Sequence, residues 1–260
     1  MIAALPMYDW PEVQGVTDQF WSLLRDRLSA HGIAAPMHLT RGADPLRSLW
    51  SAPDLRVSQC CGWHVVSGHI GAAQVFARPV WDIADLTPGS YASVIIVRAE
   101  DRDTPLDRLL SAAVINSEDS WSGCHVFRHW LGGQGRVLER ALVSGAHRAS
   151  IAAVREGRGD IAAIDIASFT LAVRLGETEG VHVLARTAEF PSVPFIHGAG
   201  IASPLALAAL KEAMAQDAAA PFREALSLQS IMPATPALYD KMATVAAKQP
   251  LICDIPEQDR

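Results

Sequence analysis

The sequence predicts an α/β fold of two lobes, the second inserted in the first, with a ligand cleft between them. Short apolar runs rich in β-branched residues alternate with segments of helical apolar spacing, the pattern of sheets covered on both faces by helices. The alternation restarts near Glu100, and 260 residues suffice for two cores. Residues 1–98 with 190–260 make the first lobe and 99–189 the second, so the chain crosses near Arg98 and Glu189. Such a cleft binds small ligands at the carboxyl ends of strands.

In the first lobe, Ile2 to Leu5 reads as a strand. Val16 to His31 carries Phe20, Trp21, Leu24 and Leu28 at helical spacing and stops near Gly32. Met37 to Thr40 is expected as a strand, Pro45 to Trp50 as a short helix, and Leu55 to Gln59 as a strand. The last runs into Cys60-Cys61-Gly62, a tight turn able to open a helix. Gln74 to Ala77 and Ser90 to Arg98 are further strands.

In the second lobe, Leu106 to Leu110 is helical, Ala112 to Ile115 a buried strand, and Trp121 to Leu131 a helix. Arg136 to Leu142 reads as a strand and Ala146 to Arg155 as a helix. Asp160 to Ile164 is a strand ending in Asp165, Ala167 to Leu175 a helix, and Val181 to Thr187 a strand. After a proline-marked crossover, Phe195 to His197 leads to a helix from Pro204 to Gln216. Helical pieces over Pro221 to Leu226 and Pro236 to Ala247 close the chain.

Composition removes several functions. A net charge of −6 without a Lys/Arg cluster argues against nucleic-acid binding. No apolar run approaches the roughly 18–20 residues of a membrane span, and Asp165 interrupts the nearest, Ile161 to Val173. The N-terminus reads as a first strand rather than an export signal. The expectation is a cytoplasmic chain, or a periplasmic one exported by a signal outside this sequence. Cys60, Cys61, Cys124 and Cys253 form no spaced framework and read as buried free thiols. No cofactor is implied.

The chemistry concentrates in Asn116 to Gly123, Asn-Ser-Glu-Asp-Ser-Trp-Ser-Gly. Strand, hydroxyl-rich turn and helix start aim unpaired N–H groups and hydroxyls at one spot, where the macrodipole adds positive potential. Ser120, Ser122 and the N–H groups from Trp121 to Gly123 suit a phosphate, phosphonate, sulfate or carboxylate. The plainer alternative is an N-cap in which Asp119 or Ser120 satisfies its own helix. Asp165 likewise serves either a ligand or the next helix as its cap. His125 and His129 lie one helical turn apart beside Cys124, but no third zinc ligand is identifiable. Ser120, His147 and Asp165 have the residue types of an acyl-transfer triad, without a Gly-x-Ser-x-Gly elbow.

Three segments together resemble the substrate-binding proteins of phosphate/phosphite/phosphonate ABC transporters, of the type II periplasmic-binding-protein fold. They are Asn116 to Gly123, Gly145-Ala146-His147-Arg148-Ala149-Ser150-Ile151 with the Gly157-Arg158-Gly159-Asp160 turn, and Ala162-Ala163-Ile164-Asp165. The resemblance implies that Ser120, Ser122 and the Gly123 backbone hold an oxyanion, with Trp121 close by. His147 donates to the same group and Asp165 accepts from the ligand. From the first lobe it implies Tyr8, Asp9, Trp10, Gln59, Cys60 and Tyr91. The implied partners are a small anionic ligand and an ABC permease, and the implied protein is not an enzyme. Glu118 and Asp119 oppose a dianion at this turn. Either they face solvent as helix-start acids, or the ligand carries less charge than a phosphonate dianion.

Overall fold

The structure is a computed structural model describing residues 1–42, 46–250, 252, 254 and 255. The chain opens with β1 (Ile2–Ala4), α1 (Gln14–Ala30), α2 (Leu46–Trp50), β2 (Leu55–Gln59), α3 (Gly62–Val66), β3 (Gln74–Trp81) and β4 (Ser90–Tyr91). Next come β5 (Ser93–Arg98), α4 (Leu106–Leu109), β6 (Ala113–Ile115), a π-helical turn (Trp121–His125) and α5 (Val126–Gly133). They are followed by β7 (Leu142–Val143), α6 (His147–Arg155), β8 (Ile161–Asp165), α7 (Ile166–Arg174), β9 (Val181–Arg186) and β10 (Phe190–Pro191). The chain ends with β11 (Phe195–His197), α8 (Ser203–Ala215), α9 (Ala220–Leu226), β12 (Leu228–Pro233) and α10 (Asp240–Ala246). Two compact units result: Met1–Ser90 with Pro191–Lys241, and Tyr91–Phe190 with the described residues from Met242 onward.

The first unit holds a mixed sheet in the order β1-β2-β11-β3-β12. β1 and β2 are parallel, while β11 runs antiparallel to both β2 and β3. A central strand therefore comes from chain that follows the whole insertion, so this sheet is completed late in the sequence. α1 buries Phe20, Trp21, Leu24 and Leu28 on one face, and Phe20 stacks flat on Phe222 at 4.2 Å.

In the second unit the sheet order is β7-β6-β8-β5-β9. β6 is parallel to β7 and β8, whereas β5 is antiparallel to β8 and β9. Its core gathers Ile95, Val97, Ile115, Phe127, Leu131 and Ile161, all fully buried, with Ile252 packed against it. Every residue of β8 is buried, as its unbroken apolar run requires. Because β6 and β8 are parallel neighbours, their carboxyl ends open on one edge of the sheet. That edge carries the turn after Ile115 and the end of β8 at Asp165.

Two expectations fail locally, and one strand lies outside the sequence pattern. Met37 to Thr40 forms no strand: Thr40 N–H bonds the Ala3 carbonyl at 2.7 Å, but the pairing does not continue into a ladder, and Met37 is 64% exposed. Of Arg136 to Leu142, only Leu142 enters a strand, because the arginine- and glutamate-bearing residues before it lie at the surface. β12 carries no strand signal of its own, since its polar Gln229 and Ser230 and terminal Pro233 suit an edge strand whose pairing to β3 is purely tertiary. The helix expected from Pro45 begins at Leu46 among the described residues, and Pro45 and Cys253 lie outside them. Cys60 and Cys124 are buried free thiols and Cys61 is partly buried. No described helix is long and apolar enough to cross a membrane.

Candidate anion site in the second unit

After β6 the chain is pinned twice to the segment that leads into α6. Ser144 N–H donates to the Ile115 carbonyl at 2.9 Å, and Gly145 N–H donates to the Asn116 carbonyl at 3.0 Å. Two helix starts thereby meet. Ser120 adopts extended backbone angles (φ −84°, ψ 126°), and its Oγ accepts from Gly123 N–H at 3.0 Å. Its carbonyl accepts from both Cys124 N–H (3.2 Å) and His125 N–H (3.1 Å), the latter being the wider π-helical bond. The widened turn carries Ser122, whose Oγ lies 2.7 Å from Nε2 of His147, the first residue of α6. The Ser122 carbonyl accepts from Ser93 Oγ at 2.8 Å, while Ser93 N–H donates to Thr187 Oγ1 at 2.9 Å. β5 and the chain after β9 thus fix the turn from below.

The site is neutral where it would meet an anion. Ala146, which precedes α6, gives it no side-chain cap, so no cap competes for the first N–H groups of that helix. Although His147 is partly exposed as a residue, its Nδ1 is buried without a hydrogen-bond partner. Desolvation lowers its pKa to about 4, so the ring is an uncharged donor and acceptor at neutral pH. Asn116 Oδ1 is also buried without a partner. A Cβ built on Gly123 would stand 1.8 Å from that oxygen and 3.1 Å from His147 Cε1, so only glycine fits between them.

Asp165 resolves toward its capping role: Oδ1 accepts from Ala167 N–H (2.8 Å) and Ser168 N–H (2.9 Å), closing the start of α7. Trp121 is 1% exposed and packs edge-on to Phe190 at 4.6 Å. Tyr91 is buried at the start of the second unit. The triad residues do not assemble, because His147 reaches Ser122 rather than Ser120 and its Nδ1 has no partner for Asp165 to be. Among the described residues, no group of three or more His, Cys, Asp or Glu is placed to hold a metal.

The first-unit residues have these places in their own unit. Tyr8 is buried edge-on to Trp81, with ring centroids 5.1 Å apart. Asp9 forms two bonds with Arg41, at 2.5 and 3.1 Å, and Trp10 is partly exposed. The Gln59 carbonyl accepts from Trp50 Nε1 at 3.0 Å. Cys60 is fully buried, which pushes its thiol well above the ordinary range. Ser93, Thr187 and the Asn116 side chain carry no signal in the residue pattern. Ser93 and Thr187 are ordinary strand residues by type, and only the sheet register brings them to the turn.

The model of the phosphonate-binding family, described as the periplasmic substrate-binding protein of phosphonate ABC transporters, matches residues 54–239. No curated protein sequence matches the chain. Among solved structures, PhnD1 from Prochlorococcus marinus in complex with methylphosphonate superposes with a TM-score of 0.72 at 17% identity, covering 95% of this chain and 96% of that one. A binding protein component of an ABC phosphonate transporter from Pseudomonas aeruginosa gives 0.72 at 13% identity, covering 94% and 84%. A Xanthomonas citri protein bound to ATP gives 0.64 at 13%, covering 95% and 94%. The type II periplasmic-binding-protein fold expected from the sequence is therefore the fold observed.

Proposed function

Because the chain belongs to the family of periplasmic substrate-binding proteins of phosphonate ABC transporters, we propose that its second unit holds the oxyanion of a phosphonate at the turn Ser120–Gly123 and the start of α6. Proteins of this family bind and deliver solutes rather than transform them. The observation that carries the assignment is the 2.7 Å contact between Ser122 Oγ and His147 Nε2, which joins two helix starts into one neutral donor cluster. Ser120 Oγ accepts from Gly123 and keeps its own proton to donate outward. Hydrogen bonds to a charged partner contribute about 1.5–3 kcal/mol each, so a few neutral donors suffice to hold an anion. Asp165 supports the turn's neighbour as a cap, and Trp121 acts through packing.

The proposed partners are this small anion and the membrane-embedded permease of an ABC transporter. The proposed place of action is the periplasm, where such a permease receives its solute. Methylphosphonate is the first probe, since a protein of the same fold binds it. Native mass spectrometry and a thermal-shift screen against methylphosphonate, phosphate, phosphite and sulfate test the reading. A ligand at a hundredfold excess over its dissociation constant adds about 2.7 kcal/mol of stability. A raised midpoint with phosphorus oxyanions is the expected result. A flat screen with no co-purified ligand overturns it.

A further inference from the structure

Asn116 stands at the carboxyl end of β6, its backbone carbonyl held by Gly145 N–H at 3.0 Å. Its side-chain Oδ1 is buried and has no hydrogen-bond partner. A buried acceptor left unmade is costly, and such atoms are uncommon in folded proteins outside sites that await a ligand or water. A Cβ built on Gly123 would stand 1.8 Å from this oxygen, so the glycine lies directly against it. The same small space at Gly123 is bounded by the His147 ring, which is bonded to Ser122. The unpartnered oxygen therefore belongs to the anion site, yet an oxygen acceptor repels an oxyanion unless a proton lies between them.

Charge around the turn points the same way. The titratable groups on the elements about Asn116 are Glu118 and Asp119 on its own turn, Cys124 and His125 on the π turn, His147, Arg148 and Arg155 on α6, and Asp165 at the end of β8. Arg155 bonds the Glu177 carbonyl at 3.0 Å and pairs with Glu156. Arg148 is engaged by Glu177 through Nε at 3.0 and 2.9 Å. His125 and His147 are held neutral by burial. Two acids on the turn, against arginines of α6 that are already paired with glutamates, make a second negative charge on the ligand expensive.

On the reading that this turn binds a phosphonate, we propose that Asn116 selects its protonation state: Oδ1 accepts a hydrogen bond from the P–OH of the monoanion. The ionised oxygens of the same ligand take protons from the hydroxyls and helix-start N–H groups. A sulfonate of equal charge and similar shape has no proton to offer, so it leaves Oδ1 unsatisfied and meets a lone-pair clash. Asn116 is thus a specificity residue, separate from the donors that hold the anion.

Calorimetric titration of methylphosphonate and methylsulfonate into the wild type and Asn116→Ala tests this, well below and well above the second ionisation of the phosphonate. Below it, the wild type should favour methylphosphonate by about tenfold or more, because a discriminating hydrogen bond is made with only one of the two. Above it, that advantage should shrink. In Asn116→Ala the two ligands should bind within about threefold of each other below that ionisation, where both are monoanions, with the missing acceptor no longer able to discriminate. A preference that survives in Asn116→Ala, or a wild type that binds both anions equally, overturns the proposal and leaves the anion site standing. Failure of the wild type to bind either anion overturns the site itself. The wild-type pH comparison decides the matter even if Asn116→Ala does not fold.

Discussion

Two helix starts in the second unit follow parallel neighbouring strands, and they are capped in opposite ways. At the end of β8, Asp165 takes up Ala167 N–H and Ser168 N–H with one carboxylate oxygen, so a fixed negative charge already occupies the positive end of α7. At the end of β6, Ser120 takes up Gly123 N–H with a neutral hydroxyl that still has a proton to give. The backbone at both caps is extended in ψ, at 129° and 126°. Geometry alone therefore does not separate a closed helix start from a receptive one. The charge of the capping side chain does.

Exchanging that charge should give the largest effect. Ser120→Asp imposes the closed cap on the receptive start, and since Asp and Ser cap about equally well, its melting midpoint should stay near that of the wild type. Its affinity for methylphosphonate should fall about a hundredfold, or about 2.7 kcal/mol, through like-charge repulsion. Retained binding would place the anion elsewhere. Gly123→Ala drives a methyl into Asn116 Oδ1, and overpacking of this kind typically costs about 1–3 kcal/mol, readable from denaturant midpoints.

Smaller changes sharpen the contrast from the other side. Asp165→Ala should lose about 1 kcal/mol of stability as the α7 cap disappears, while methylphosphonate affinity stays within about threefold. A large loss of affinity would make Asp165 a ligand contact as well as a cap. Acid should act on the Ser120 side. His125 and His147 titrate at about 4 in the folded chain against an ordinary 6.5. Between these values the unfolded chain binds more protons, so stability falls as pH drops through that window. Each contributes up to about 0.8 kcal/mol of loss at about pH 6. Replacing His125 by Gln should reduce the acid sensitivity of the melting midpoint, and an unchanged pH profile would contradict its buried, neutral state.

Much of this fold is legible in residue pattern. β2 forms over Leu55–Gln59, the residues the pattern marks as a strand, with Pro53 before it and the Cys60-Cys61-Gly62 turn after it. α1 follows from Phe20, Trp21, Leu24 and Leu28. β12 escapes a local reading because an edge strand with Gln229, Ser230 and Pro233 exists only through its pairing with β3. The site divides along the same line. Ser120 as a cap and the arrival of His147 at a second helix start are readable from residue types. The choice of Ser122 rather than Ser120 as the partner of His147 depends on the π-helical widening of the turn. Likewise, the burial of Asn116 Oδ1 goes with the close approach of Gly123 on the π-helical turn.

A calorimetric titration of methylphosphonate into the wild type and the Ser120→Ala/Ser122→Ala double variant tests whether the receptive turn is the anion site. The wild type should show saturable binding to one site, and the double variant should bind more weakly by roughly 1–3 kcal/mol, since a charged acceptor is left short of donors. Equal affinity in the two proteins would contradict the assignment of the anion to this turn.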